Sequence, residues 1–366
     1  MKLERFAKRR RKLIRSLKQL GVDALLVTDF TNVTYLTGFS GDDSFLLIGP
    51  QQTVLISDSR YTIQIGEECP DIDAHFRSNR VPIMEATGKL LRKAKPSKLA
   101  VESDSLTVAE FEELSKQTKS LEIVPLSGLV ETLREIKDST EIASIREAVR
   151  MAEQGFAVIR ASLVGRMSEL EAAHELEHSM RKFGATRAGF DPIVAVGARA
   201  ALPHAHPSKV TMETDDFVLF DWGAETADGY RSDLTRVLVT GKISTKLEKI
   251  YRVVLKAQLR GIKAIRPGAK GCDVDKAARS VIEKAGYGKR FGHGLGHGIG
   301  LKIHEGGRFS PTSETVLKPG MVMTVEPGIY IPGWGGVRIE DDILVTHDGH
   351  EVLTSVPKEF EQAVIR

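Results

Sequence analysis

The sequence predicts two domains of different class, an α/β domain followed by an α+β domain. Strand-like and helix-like segments alternate over the first 135 residues, which is typical of α/β folds. Further along, helices are bracketed by two groups of antiparallel strand candidates, a pattern that favours α+β over a doubly wound sheet. The chain has 366 residues, of which 41% are hydrophobic, and this is enough for two cores. We therefore predict domains at 1–135 and 136–366.

The chain begins with a strongly basic segment. Nine of its first 20 residues are Lys or Arg and one is acidic, although the whole chain has a formal net charge of only +3. Apolar residues recur at helical spacing from Leu3 to Leu20, and Gly21 follows as a stop signal. We expect an amphipathic helix whose basic residues face solvent. A localisation signal or a polyanion-binding arm is the alternative.

Hydrophobic periodicity and helix caps predict the remaining elements of the first domain. Alternating apolar residues indicate strands, spacings of three and four indicate helices, and Thr107 is a candidate N-cap. Strands are predicted at Ala24–Thr28, Phe45–Ile48, Val54–Ser57, Lys98–Glu102 and Leu121–Pro125, and helices at Ile83–Ala94 and Val108–Thr118.

The second domain is predicted to open with helices. Ile142, Ile145 and Val149 have helical spacing, and Ser168 and Glu171 have the spacing of a capping box. Further strands are predicted at 192–196, 217–220 and 234–239, further helices at 244–265 and 273–285, and glycine-punctuated strands from residue 292 onward.

Composition also limits the cellular context. Cys69 and Cys272 are too few for a disulfide scaffold or for a zinc module built from cysteine alone. No apolar run approaches membrane-spanning length, and the charged N-terminus lacks the hydrophobic core of a signal peptide. We expect a cytoplasmic protein without a membrane partner, and the small net charge gives no reason to expect a nucleic-acid partner.

Two predicted hairpins each bring a pair of acids together. Asp221 and Asp233 flank an Asp-Gly turn signal, and a three-residue loop centred on Ala227 would place them opposite each other. Glu326 and Glu340 are centred on position 333, inside a Pro-Gly-Trp-Gly-Gly turn. Acids that follow apolar strand segments in this way are costly to bury unless they are paired or bound to metal.

Histidines lie between the two hairpins, among alternating glycines that would let other strands approach closely. They are His293, His297 and His304. Four carboxylates and one imidazole form a ligand set for two divalent metal ions. The alternative is that each acid caps a turn or faces solvent, but four such acids beside histidines favour a metal site.

Other motifs are weaker candidates. His174 and His178 match the HExxH motif of zinc proteases, yet they share a helix stripe with Glu171 and Glu175, which indicates a solvated face. The glycines from 292 to 300 fit neither GxGxxG nor a P-loop, and no Gly-x-Ser-x-Gly motif occurs. Cys272 lacks the nearby histidine of a thiol nucleophile.

At these residues the chain resembles the pita-bread metallopeptidases of the Xaa-Pro dipeptidase (prolidase) and aminopeptidase P group. The resemblance covers nearly the whole chain: NVTYLTGFSG and SDSRY in the first domain, then ALPHAHPS, DWGA…GYRSDLTR, HGLGHGIGLKIHE, TVEPGIY and VRIEDD in the family's order. It implies an α/β domain of the creatinase/prolidase N-terminal type and an α+β pita-bread catalytic domain. The chain departs by one extra residue between Asp221 and Asp233, and by His206, which we treat as a bystander.

The resemblance also implies a role for each ligand. Asp221 would chelate one ion, Asp233 and Glu340 would bridge two ions, and His297 and Glu326 would bind the second. Two Mn²⁺ ions are expected because the ligands are mostly oxygen, with Co²⁺, Fe²⁺ or Zn²⁺ as alternatives.

The remaining site residues are implied to act on the substrate. His204, His293 and His304 would contact it and stabilise the tetrahedral intermediate, and Arg338 would lie near the proline carboxylate or the downstream carbonyl. The nucleophile would be a hydroxide held between the two cations, and Glu326 would take the proton of the water that forms it and pass this proton to the proline nitrogen.

The implied activity is metal-dependent hydrolysis of the Xaa-Pro bond at the N-terminus of di- or oligopeptides, by a homodimer formed through the first domain. A metal-free creatinase-like hydrolase and a non-catalytic module share the fold, but the five ligands argue against both. Methionine aminopeptidase shares the ligands but normally lacks a domain like 1–135. The choice between dipeptidase and aminopeptidase P stays open at this point.

Overall fold

The structure is a computed structural model that describes residues 2–365. Contacts divide the chain into two compact units, 1–134 and 135–366. The first unit contains one six-stranded sheet, whereas the second contains several antiparallel sheets and four long helices. Both fold classes expected from the sequence are therefore present.

The first unit is built on a mixed sheet. Its elements are α1 (Lys2–Gln19), β1 (Ala24–Val27), α2 (Phe30–Thr37), β2 (Phe45–Ile48), β3 (Thr53–Asp58), α3 (Thr62–Glu68), β4 (Asp73–Arg77), α4 (Ile83–Ala94), β5 (Lys98–Glu102), α5 (Val108–Gln117), β6 (Glu122–Leu126) and α6 (Glu131–Arg134). The strand order is β4-β3-β2-β1-β5-β6, with β2 antiparallel to both neighbours and the other pairs parallel. The five predicted strands and two predicted helices are confirmed to within one residue at each end.

Helix α1 confirms the predicted amphipathic helix, but two of its basic residues do not face solvent. Arg9 and Arg10 are buried. Arg9 lies 4.0 Å over the Tyr35 ring and donates to the Tyr35 carbonyl, while Arg10 donates to the Leu36 carbonyl and pairs with Asp71. The prediction was wrong at these two positions because the last turn of α2 leaves carbonyl groups that a guanidinium can satisfy.

Sequence periodicity missed the short elements α2, α3, β4 and α6 of the first unit. Helix α2 is capped at its N-terminus by Asp29, whose side chain accepts the N–H groups of Thr31 and Asn32, and at its C-terminus by Gly38 with φ +80°. Its β-branched and aromatic residues favour strands, so the caps and the packing determine the helix.

The second unit consists of antiparallel sheets and paired helices. Its elements are α7 (Ser139–Ser162), α8 (Glu169–Lys182), β7 (Arg187–Ala188), β8 (Ile193–Val196), β9 (Phe217–Trp222), β10 (Ala224–Glu225), β11 (Leu234–Val239), α9 (Thr245–Ala264), α10 (Gly271–Lys284), β12 (Gly296–Gly298), β13 (Glu305–Phe309), β14 (Val322–Val325), β15 (Gly328–Ile331), β16 (Gly335–Arg338), β17 (Asp341–Val345), β18 (His350–Val352) and α11 (Phe360–Ala363). The strand orders are β11-β9-β8 and β13-β12-β14-β17-β18, with smaller pairs β15-β16 and β7-β10. Helix α7 packs on α8 and α9 on α10. The capping box of Ser168 and Glu171 is confirmed. Within residues 2–365, none of the helices combines the length and apolarity needed to cross a bilayer.

The β9–β11 hairpin differs in register from the sequence prediction. Its three-residue loop is Ala227–Gly229, centred on Asp228 and closed by a backbone hydrogen bond. Asp221 therefore pairs with Thr235 and not with Asp233, so the predicted direct opposition of the two aspartates was wrong. Because Asp233 precedes Thr235 by two residues, the aspartates still share one face as diagonal neighbours.

The β15–β16 hairpin has the predicted register. Gly328 pairs with Arg338, which centres the hairpin on position 333. Glu326 and Glu340 lie two residues beyond the two ends of this ladder. Glu326 directly follows β14 and Glu340 directly precedes β17, and both strands belong to the larger sheet. The hairpin therefore brings both carboxylates to one edge of that sheet.

Candidate active site

Five predicted ligands converge on one cavity of the second unit. Asp221 is in β9, Asp233 precedes β11, His297 is the middle residue of β12, Glu326 follows β14, and Glu340 lies between β16 and β17. They line a cavity of about 570 Å³, together with His204, His293, His304 and Arg338. The structure therefore brings all the predicted site residues together.

The innermost group consists of Asp233, His297 and Glu340, whose potential ligand atoms lie within 4.8 Å of one another. Nε2 of His297 is 3.6 Å from Oδ2 of Asp233 and 3.5 Å from Oε1 of Glu326. Nδ1 of His297 lies 3.1 Å from the Gly298 carbonyl. The carbonyl selects the tautomer that is protonated at Nδ1, so the lone pair of Nε2 is directed at the carboxylates.

Glycines on β12, the strand that carries His297, let neighbouring strands approach its backbone closely. A Cβ on Gly296 would lie 2.0 Å from the Thr324 carbonyl oxygen, and one on Gly298 would lie 2.0 Å from the Gly306 carbonyl oxygen. Any side chain at either position would push the neighbouring strands apart. The alternating glycines thus serve close strand packing, as the sequence suggested, and not phosphate binding.

The carboxylates are buried without enough positive charge inside the protein. Burial raises the pKa of both Asp233 and Glu340 well above the usual range, and repulsion from the neighbouring carboxylates adds to the shift. Burial likewise raises the pKa of Glu326 to about 8. Oδ1 of Asp221 and Oε1 of Glu340 are buried and accept no hydrogen bond.

These features fit a pair of divalent metal ions. Ligand atoms of Asp233, His297 and Glu340 lie within 4.8 Å of one another, and cations bound there would offset both the burial and the repulsion that raise the pKa values of the two carboxylates. Burial lowers the pKa of His297 to about 3, so its imidazole is neutral and available as a ligand near neutral pH.

Arg338 lies at the base of the cavity and is only 2% exposed. Its guanidinium donates to the Thr235 hydroxyl at 3.1 Å, to the Tyr330 hydroxyl at 2.9 Å and to Asp221. Thr235 in turn donates to Oε2 of Glu340 at 2.6 Å. Arg338 therefore links two candidate ligands, and a contact with a substrate carboxylate stays a prediction.

The other histidines line the wall of the cavity. Nε2 of His293 is 2.9 Å from the Tyr330 hydroxyl, and burial lowers the pKa of His293 to about 4. The ring of His304 lies 4.4 Å from that of His297 and is nearly perpendicular to it. His204 and His206 are exposed at the rim. His206, treated as a bystander from the sequence, thus also lines the cavity.

Sequence reasoning missed Arg308, which lines the same cavity from β13. Its charge contributes to lowering the pKa of both His297 and His304, which places the guanidinium near these rings. No acidic side chain within residues 2–365 forms an ion pair with it. The signal was available in HEGGRF, where Arg308 follows His304 by four residues on a strand that borders β12.

The HExxH motif lies on α8, away from this cavity. His174 and His178 are exposed, as the solvated-face interpretation predicted. Neither lines the cavity that holds the carboxylates.

The family model for metallopeptidase family M24 matches residues 143–347, and the model for the creatinase/prolidase N-terminal domain matches residues 9–136. The first of these spans more than half of the chain and contains all five candidate ligands. The chain belongs to metallopeptidase family M24.

Relatives within the family cover almost the whole chain. The chain is 36% identical to an Xaa-Pro dipeptidase of Pyrococcus horikoshii, over 96% of this chain and 97% of that protein. A solved Xaa-Pro dipeptidase from Bacillus anthracis superposes with a TM-score of 0.93 at 42% identity, covering 97% of this chain and 99% of that one. A solved X-Pro aminopeptidase from Thermotoga maritima superposes with a TM-score of 0.87 at 35% identity, covering 94% and 99%.

These similarities confirm the fold expected from the resemblance, an M24 pita-bread domain behind a creatinase/prolidase N-terminal domain. The chain is a peptidase of a metal-dependent family. Because its similar structures carry the names of both a dipeptidase and an aminopeptidase, the similarities leave the length of the substrate undecided.

Proposed function

We propose that this M24 peptidase hydrolyses the bond between an N-terminal residue and a following proline, with dipeptides as its preferred substrates. The observation that carries the proposal is the buried group of four carboxylates and one imidazole at the base of a cavity large enough for a dipeptide. The match of residues 9–136 to the creatinase/prolidase N-terminal domain favours this activity over that of a methionine aminopeptidase.

Asp221, Asp233, His297, Glu326 and Glu340 are proposed to hold two divalent ions, with Mn²⁺ favoured by the oxygen-rich donors. Bound there, the ions would lower the pKa of a shared water and polarise the scissile carbonyl. The fit rests on the unpartnered oxygens of Asp221 and Glu340, which protein donors leave free.

The remaining residues are assigned by their positions around this centre. Glu326 takes a proton from the attacking water at Oε1 and delivers it to the proline nitrogen. His204 and His304 stand at the open side of the cavity, where they can donate hydrogen bonds to the developing oxyanion. His293 holds its place through Tyr330, and Arg338 orients Asp221 from below.

The cavity also suits a proline imide bond. A proline nitrogen has no N–H to donate, so a peptidase that depends on that hydrogen bond handles it badly. Apolar side chains of Phe190, Pro192, Ile193 and Ile303 line this cavity and can accommodate a pyrrolidine ring without requiring a donor.

Arg308 supports the assignment to dipeptides. Its guanidinium lines the cavity and donates to the main-chain carbonyls of Glu305 and Gly307, but it has no acidic side-chain partner within residues 2–365. A dipeptide places its free carboxylate on the residue that follows the scissile bond. A planar guanidinium binds a carboxylate through two parallel hydrogen bonds. A longer peptide has an amide at that point and gains no such contact.

The test compares Ala-Pro with Ala-Pro amide and with a longer peptide that begins Ala-Pro, with Mn²⁺ and with a chelator. We expect cleavage only with metal, and a preference for Ala-Pro. Arg308→Gln should raise KM for Ala-Pro about tenfold or more and leave the amide unchanged, since a lost hydrogen bond to a charged group costs about 1.5–3 kcal/mol. Equal KM effects on both substrates would contradict the assignment to dipeptides.

Residues 1–134 are proposed to mediate homodimerisation and to restrict substrate access, as the resemblance implies. Light scattering coupled to gel filtration gives the mass directly. A monomer at micromolar concentration that cleaves Ala-Pro at full rate would remove the dimer from the proposal and leave the peptidase activity standing.

A further inference from the structure

The loop that carries His204 is anchored by a buried carboxylate outside the cavity. Residues 197–207 connect β8 to the segment that precedes β9, and His204 is one of the loop residues that line the cavity. Glu169, in the first turn of α8, is fully buried. A buried carboxylate is costly unless donors satisfy it, so the groups that donate to Glu169 indicate what it holds.

The donors to Glu169 come from both ends of this loop. Oε1 accepts the N–H of Val196 at 2.8 Å, and Oε2 accepts the N–H and the hydroxyl of Ser208 at 2.9 and 2.6 Å. Val196 directly precedes the loop and Ser208 directly follows it. The N–H of Leu170 adds a main-chain hydrogen bond to the Ser208 carbonyl at 2.9 Å. One carboxylate therefore joins the two ends of the loop.

Arg199 extends this anchor into the loop itself. Its Nε donates to Oε2 of Glu169 at 2.8 Å, and its Nη2 donates to the His206 carbonyl at 2.6 Å. The Glu169 side chain is 0% exposed and the Arg199 side chain is 31% exposed. The guanidinium thus transmits the position of the buried carboxylate to a residue that lies two positions from His204.

Close packing fixes the loop on its other side. A Cβ on Gly336 would lie 2.1 Å from the Ala200 carbonyl oxygen, so β16 lies directly against the loop backbone. His204 lies between this contact at Ala200 and the hydrogen-bonded carbonyl of His206. Its backbone is therefore held from both directions along the chain.

We propose that Glu169 and Arg199 are positioning residues that place the His204 ring at the open side of the active-site cavity. The proposal rests on the proposed function, in which His204 donates a hydrogen bond to the developing oxyanion. When the Glu169 carboxylate is replaced by an amide, one end of the loop loses its acceptor and is released. His204 then moves, and a displacement of about 1 Å can lower a catalytic rate by about 100-fold.

The main test is a double-mutant cycle between Glu169→Gln and His204→Ala. The NH₂ group of Gln faces a backbone N–H whichever way the amide turns, because each carboxylate oxygen of Glu169 accepts one. We expect kcat for Ala-Pro to fall about tenfold or more while KM stays within about threefold. In the His204→Ala background the same substitution should lower kcat by less than about twofold, because residues that act through one another are not additive.

Two further measurements do not depend on activity. Amide hydrogen exchange of residues 197–207 should become faster in Glu169→Gln, while that of α9 and α10 keeps the wild-type rate. The imidazole ¹⁵N shifts of His204 should change in the same variant. Mn²⁺ binding measured by calorimetry should be unchanged, because Glu169 is not a candidate ligand.

Glu177→Gln is the matched control. It makes the same chemical change on the same helix, in a surface ion pair with Arg181, and it should leave kcat, loop exchange and the His204 shifts unchanged. Arg199→Gln provides an independent arm if Glu169→Gln does not fold, because it releases only the His206 carbonyl. We expect a loss of kcat from it that again disappears in the His204→Ala background.

Equal losses of kcat from Glu169→Gln with and without His204 would overturn the positioning role, because they would show damage that does not act through this ring. Unchanged His204 shifts in Glu169→Gln would overturn it as well. A wild-type protein that cleaves no Xaa-Pro substrate would instead refute the proposed function. The His204 shifts, recorded without substrate, would still decide whether Glu169 sets the place of the ring.

Discussion

Glu340 and Asp341 are adjacent in sequence and equally buried, yet their electrostatic surroundings are opposite. The side chain of Glu340 faces other carboxylates, so that burial, together with repulsion from Glu326 and Asp221, raises its pKa well above the usual range. One of its oxygens accepts no hydrogen bond.

Asp341 is surrounded by donors from its own chain. Arg236 lies 2.7 Å from its Oδ1, and Lys358 and Gln258 both donate to Oδ2. Although burial acts in the opposite direction, the two cations and these hydrogen bonds lower the pKa of Asp341.

This difference in surroundings distinguishes a buried acid that stabilises the fold from a buried acid that can bind metal. Successive side chains of a strand point to opposite faces, so one residue step moves a carboxylate from one environment to the other. On one face the protein supplies the neutralising cations itself. On the other face Arg338 pairs with Asp221, but this one guanidinium does not balance four carboxylates, and external cations would complete the neutralisation.

The largest expected effect comes from Glu340→Gln. Losing a bridging carboxylate should abolish Mn²⁺ binding in calorimetry and lower kcat/KM by at least about 1,000-fold, because the water would lose its activation. In the presence of a chelator the melting temperature should stay level or rise, since one repelling charge is gone. Full activity with a normal metal count would contradict this assignment.

Asp341→Asn is an isosteric substitution at the adjacent residue, and it should lower stability while leaving metal binding intact. It leaves the buried Arg236 and the partly buried Lys358 without their carboxylate, and loss of one partner of a buried ion pair costs about 3–5 kcal/mol. Chemical denaturation should detect this loss, and the folded fraction should still bind two Mn²⁺ per chain. If Asp341→Asn lost metal and kept its stability, the distinction between the two acids would fail.

Much of this contrast could be predicted from the sequence, but not all of it. The spacing of Glu326 and Glu340 about a Pro-Gly turn gave the correct register, because strand periodicity and turn chemistry are local. The position of Asp221 opposite Thr235 was not predicted, since an Asp-Gly signal is compatible with more than one loop centre. When the centre of the loop moves by one residue, the partner of every residue in the ladder moves by two positions.

Long-range partners were beyond the reach of sequence patterns. The pairing of Asp341 with Arg236 joins residues 105 positions apart, and that of Lys137 with Glu305 joins residues 168 positions apart. Arg308 was overlooked because a single arginine in a glycine-rich strand has no periodic signal, and its proximity in sequence to His304 was the one indication of its place. Helix α2 was missed because tertiary packing outweighs the strand propensity of its residues.

The acids of the site should also produce a distinct pH dependence in the metal-free protein. The pKa of Glu326 is raised to about 8 from an ordinary value of 4.5, so folding favours its protonated form. Its contribution to stability is complete below pH 4.5 and is lost as pH rises toward 8. Between pH 7.5 and 8.5, where His293 and His297 are mostly neutral in both the folded and the unfolded state, we expect the melting temperature to fall.

Glu326→Gln should flatten this slope, and saturating Mn²⁺ should flatten it in the wild-type protein. Thermal melts with chelator across the same pH range provide the measurement. A slope that is identical in Glu326→Gln would assign the effect to another group.

The smallest effect is expected from substituting the two exposed histidines of helix α8. His174→Ala and His178→Ala, alone or together, should leave kcat/KM within about twofold and the metal count unchanged, because both side chains face solvent. Activity assays alongside metal analysis check this. A large loss of both would revive the HExxH motif as the metal site.

The two hairpins also differ in how they tolerate insertions and deletions. The loop Ala227–Gly229 lies at an exposed tip, so a residue added there lengthens the turn and leaves the pairing of Asp221 with Thr235 free to persist. A residue added between Arg338 and Asp341 would instead exchange the faces of Glu340 and Asp341. An insertion or deletion should therefore be tolerated at the tip of the β9–β11 hairpin, whereas one between Arg338 and Asp341 should disrupt the candidate metal site.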